Sequence, residues 1–78
     1  MKELNRKKVL EDYVKFCNDT NMDTKSKKSK ETYKNEMIQY MYNFGQITIS
    51  EFDEIKHEIE NILKYNPLTI EKIKKGEI

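Results

Sequence analysis

The sequence predicts an all-α protein: one small bundle of three substantial helices plus a short C-terminal helix, filling residues 1–78 as a single domain. Three observations carry this. Apolar residues recur at three- and four-residue intervals along most of the chain. Glycine occurs twice and proline once, too few breaks for an all-β chain. Only 36% of the residues are hydrophobic, which is enough for one small core and not for a second.

The first helix is expected over about residues 5–18. Val9, Leu10, Tyr13, Val14 and Cys17 fall on one face, with Phe16 at its edge. Asn18-Asp19-Thr20-Asn21 reads as a stop, because these side chains compete with the backbone for hydrogen bonds and favour turns. A polar connection follows over about 19–28. Its centre, Thr24-Lys25-Ser26-Lys27-Lys28, has no apolar side chain and is expected to be exposed.

The second helix is expected over about residues 29–44. Tyr33, Met37, Tyr40, Met41 and Phe44 form the inward stripe, and Ile38 widens it. Ser26 or Ser29 serves as N-cap, and Gly45 suits the residue just past the end. The third helix is expected over about 49–65, with Phe52, Ile55, Ile59, Ile62 and Leu63 inward. Thr48 and Glu51 have capping-box spacing, with Ser50 a competing cap. Glu51, Asp53 and Glu54 suit the positive end of the helix dipole. Asn66-Pro67 ends the helix, since a residue before proline avoids the helical region. The last segment, about 67–75, starts on Pro67, turns Ile70 and Ile73 inward and stops at Gly76.

The net charge of +1 conceals blocks of opposite sign. Residues 24–34 hold five lysines against one glutamate, and residues 51–60 hold five acids against one lysine. Binding responds to the field of one face and not to the average, so a nucleic-acid surface stays open. No apolar run approaches the ~20 residues that span a bilayer. Met1-Lys2-Glu3-Leu4-Asn5 lacks the apolar stretch of a signal peptide. The single cysteine, Cys17, has no internal disulfide partner and makes no metal cluster with the one histidine, His57. A reducing, cytoplasmic setting is therefore expected.

No catalytic constellation is visible, and the chain is expected not to be an enzyme and to need no cofactor, metal or small-molecule substrate. Cys17 lies on an apolar face as a buried thiol; His57 lies on the wet side of the third helix. There is no glycine-rich phosphate loop and no calcium loop. What remains is the lysine-rich start of the second helix. Lys25, Lys27, Lys28, Lys30 and Lys34 interleave with Ser26 and Ser29, and ammonium groups, hydroxyls and a helix N-terminus are what hold phosphate oxygens. Lys72, Lys74 and Lys75 offer a second contact.

Residues Val9 to Leu63 resemble the N-terminal core-binding (SAM-like) domain of tyrosine recombinases and phage integrases. Leu10-Glu11-Asp12-Tyr13-Val14-Lys15-Phe16 is similar to that family's first helix. Ser26 to Tyr33 resembles its Ser-x-x-Thr-x-x-x-Tyr signature, with Ser29 in place of the usual Thr. Met37 and Tyr40 stand where Leu and Phe are common, and Ile47-Thr48 through Ile55 looks like the start of its third helix. The family's recombinases carry a separate catalytic domain with arginines, histidines and a tyrosine nucleophile. This chain has one arginine, Arg6, and no room for that domain. The resemblance therefore implies a DNA-clamping module of phage or mobile-element type, not a recombinase. A shorter stretch, Ile38, Met41, Gly45, Ile47, Thr48, Glu51, Phe52, Lys56 and Ile59, looks like the short C-terminal (SHOCT) domain with its Gly-x-Ile-Thr-x-x-Glu-Phe turn. That likeness implies an interaction or oligomerisation element.

Two function classes follow. One is a DNA-binding module using the ten lysines and serines named above. The other is a protein-interaction module, either a phage or mobile-element factor that binds or inhibits a host protein or a SHOCT-like oligomerisation element. Its contacts would be the acids Glu51, Glu54 and Glu58 or the aromatics Tyr42 and Tyr65.

Overall fold

A computed structural model describes residues 4–77 and shows a helical bundle. The elements are α1 (Arg6–Thr20), α2 (Lys27–Asn43), a single 3-10 turn (Ile49–Glu51), α3 (Phe52–Lys64) and α4 (Pro67–Lys74). No strand occurs among the described residues.

Each boundary has a local cause. The Asn5 side chain accepts from the Lys8 amide and starts α1. The helix continues two residues past the expected stop, because the Thr20 hydroxyl donates back to the Phe16 carbonyl at 2.7 Å instead of breaking the helix. Asn21 then takes the left-handed conformation, φ 60°, and the Met22 amide donates to the Cys17 carbonyl. Ser26, not Ser29, caps α2 by accepting from the Lys28 amide at 3.1 Å, so α2 starts at Lys27. Gly45, at φ +70°, closes α2 in the same left-handed way as Asn21, with the Gln46 amide on the Met41 carbonyl. The Thr48 amide donates to Glu51 Oε1 at 2.9 Å and the Thr48 side chain accepts from the Glu51 amide, so the expected capping box is complete. Ser50 is not the cap; its hydroxyl meets the Thr48 hydroxyl. Pro67 opens α4.

The helices α2 and α3 form an antiparallel hairpin: Lys34 near the start of α2 meets Glu60 near the end of α3, and Tyr42 near the end of α2 meets Phe52 at the start of α3. Helix α1 lies on α3, and α4 packs on α1. The core is Leu10, Tyr13, Cys17, Ile38, Ile55, Ile59 and Leu63, each at most 2% exposed, ringed by Val9, Val14, Tyr33, Met41, Ile47 and Ile70. Phe16, Met37, Phe52, Ile62 and Ile73 pack against it half-buried.

Two expectations fail here. The connection between α1 and α2 is not wholly exposed: Thr24 is buried, because the Tyr13 hydroxyl reaches out of the core and donates to its carbonyl at 2.8 Å. Nor are Tyr40 and Phe44 inward; they are 54% and 68% exposed. The reason is that α2 packs most closely on α3 and meets α1 chiefly through Tyr33, whose ring contacts Tyr13 and Phe16 and whose hydroxyl donates to Asp12. The buried face of α2 is thus rotated toward Ile38, and Tyr40 and Phe44 are left beside the gap between α1 and α2.

Candidate nucleic-acid interface

The antiparallel α2–α3 hairpin brings the first turns of α2 beside the last turn of α3. Between them lies a cleft of about 430 Å³. Its floor is Leu63, and its walls carry Lys25, Lys27, Lys30, Lys34 and Lys64 against Glu31 and Glu60. The free amides of the α2 N-terminus add positive potential at the same end.

The predicted lysines do not all serve alike. Lys34 is 5% exposed and is not free to meet phosphate. Its ammonium donates to Glu31 Oε1 and Glu60 Oε2, both at 2.9 Å, and braces the two helices. Those hydrogen bonds hold the Lys34 amine above its ordinary range and the Glu60 carboxyl below its own. Ser29 is 1% exposed, one helical turn before Tyr33 on the inward face, so it touches no ligand. Ser26 is spent as the N-cap. Lys25, Lys27 and Lys30 line the cleft, whereas Lys28 is exposed outside it. Lys72 and Lys74 on α4, and Lys75 just past its end, are exposed and do not line it. Helix α4 approaches through Glu71, whose Oε1 lies 3.9 Å from the Lys25 ammonium. Lys64 lines the cleft and was absent from the residues singled out in the sequence.

The Lys34 brace has an asymmetric prediction. Replacing both Glu31 and Glu60 with Gln leaves a buried ammonium without an anion, whereas Lys34→Met leaves two half-exposed carboxylates to water. The double variant should therefore lose more thermal stability than Lys34→Met, which should shift Tm by a few degrees at most. Because the Glu60 value is depressed, the brace contributes above the ordinary glutamate range and is lost as pH falls through the folded-state value. Thermal melts between neutral and acid pH should show that loss, and Lys34→Met should flatten it.

The residues expected for protein contact are scattered. Glu54 is exposed, Glu58 is half-buried, and Glu51 is engaged with Thr48. Tyr42 packs edge-on against Phe52 at 6.1 Å. Tyr42 lies on the last turn of α2, Glu51 in the 3-10 turn, and Glu54 and Glu58 on α3, while Tyr65 sits at the lysine end, 68% exposed beside Lys64. A second concavity, about 940 Å³, opens between α1 and α2 over Val9, Phe16, Met37 and Met41. Tyr40 stands on its rim with Phe44 against it, ring centroids 4.5 Å apart. Nothing in the sequence pattern separated these two aromatics from core residues.

His57 is exposed, and Cys17 is 1% exposed with its thiol pushed up by burial. Among the described residues, no group of His, Cys, Asp and Glu could hold a metal ion, and no helix is long and apolar enough to cross a membrane. No family model, curated protein or solved structure matches the chain.

Proposed function

We propose that the protein is a non-catalytic DNA-binding module that grips the phosphate backbone with the lysine end of the α2–α3 hairpin. The observation that supports this most is the convergence of Lys25, Lys27 and Lys30 from the start of α2 with Lys64 from the end of α3 on one concave surface. Four ammonium groups free of the Lys34 brace, beside a helix N-terminus, are suited to phosphate oxygens and carry no means of reading bases. This agrees with the clamp role that the likeness to integrase core-binding domains implies, with Lys64 added and with Ser29 and Lys34 removed from the contact set. A phage or mobile-element origin is part of the same proposal.

The test is binding of labelled mixed-sequence DNA, duplex and single-stranded, at about 50 and 200 mM salt. Three or four phosphate contacts on duplex imply a loss of about 40- to 150-fold across that range. Absence of binding to either form at the lower salt would remove the proposal.

A second reading, contact with a host protein, is favoured by the exposed Tyr40–Phe44 pair beside the α1–α2 groove. Exposed ring pairs next to an apolar concavity are common at protein interfaces. Nuclease treatment separates the two readings, since a direct protein contact survives it.

A further inference from the structure

Tyr65 does not line the lysine cleft but flanks it through Lys64. It is 68% exposed, and the Lys64 ammonium stands 5.4 Å from its ring centroid. Lys64 also lines the cleft with Lys27 and Lys30. The ring is therefore one side chain away from the bound backbone. Leu68, just beyond it in sequence, is 77% exposed and extends the apolar surface at the start of α4.

A basic groove with an exposed aromatic at its edge is the arrangement that holds single strands, because every unpaired base has a free face to stack. A duplex keeps those faces against one another and offers Tyr65 nothing to stack on. We propose that the lysine cleft prefers single-stranded DNA, with phosphates on Lys27, Lys30 and Lys64 and one base stacked on Tyr65. This rests on the DNA-binding reading above and names its substrate class.

The experiment compares a labelled oligothymidylate of about twelve nucleotides with a blunt-ended, loop-free duplex at equal phosphate concentration, by fluorescence anisotropy at one low salt concentration. The single strand should bind about tenfold or more tightly. Tyr65→Ala should weaken the single strand by about tenfold and leave the duplex unchanged, a loss in the range measured for one base–aromatic stack. Tyr65→Phe keeps the ring and should retain the affinity. Equal binding of both probes, or a Tyr65→Ala variant that binds the single strand like the parent, overturns the inference and leaves backbone binding standing. No binding to either probe overturns both. Circular dichroism confirms that the helical content persists in each variant.

Discussion

Changing Lys27, Lys28 and Lys30 together to glutamate is expected to abolish DNA binding at about 50 mM salt while leaving the helical signal intact. Lys27 and Lys30 line the cleft, and Lys28 stands exposed between them on the first turn of α2. Reversal converts attraction to repulsion at the point where phosphates approach. The fold tolerates it because acidic side chains in the first turn of a helix meet the positive end of its dipole. Each exchange removes two charge units, so the net charge moves from +1 to −5. A control with Lys7, Lys8 and Lys15 changed to glutamate makes the same net shift from α1. If the lysine end is the interface, the control keeps most of the affinity at matched salt. Equal losses in the two triple variants would mean that total charge, and not this surface, governs binding.

Ile59→Ala is expected to cost about 2–5 kcal/mol, the range for emptying a fully packed isoleucine site. Ile59 is 0% exposed, in the middle of α3, the helix that packs on both α1 and α2. A domain of 78 residues has a total stability of about 4–12 kcal/mol at ordinary values per residue, so one such cavity removes a large share. Urea denaturation should show a lower midpoint with an unchanged slope. Ile62, half-buried at the edge of the same helix, should cost clearly less when truncated to Ala. Comparable losses at the two positions would contradict the packing described for α3.

The helix boundaries were largely legible because their signals are local. Gly45, the Thr48–Glu51 pair and Pro67 each act on neighbours a few residues away, and each sits where the sequence placed it. Burial on α2 was less legible. Its apolar residues spread around much of the helix, and which of them turn inward depends on whether α1 or α3 lies alongside. That is a tertiary fact, and it exposed Tyr40 and Phe44 while burying Ser29. The role of Lys34 is hidden for the same reason: in sequence it is one lysine of five, and only Glu60 of the opposite helix distinguishes it.

The place of Lys64 follows from the register of the hairpin. Counted from Ile47, Tyr42 and Phe52 are each five residues away, and Lys34 and Glu60 each thirteen. Lys30 and Lys64 are each seventeen away, so the register of the hairpin pairs them. Counting outward from a glycine-closed turn finds facing residues across a short helical hairpin, provided both helices stay regular.

The docking of α4 on α1 bears on the order of events during folding. The α2–α3 hairpin zips outward from a short turn, so each new contact closes little extra loop. Joining α4 to α1 instead closes a loop over most of the chain, and the entropy of that closure is lost before any contact rewards it. The hairpin is thus the natural early structure and the α1–α4 seam the late one. The eight-residue α4 has one buried residue, Ile70, so that seam is also where amide hydrogens should exchange first with solvent.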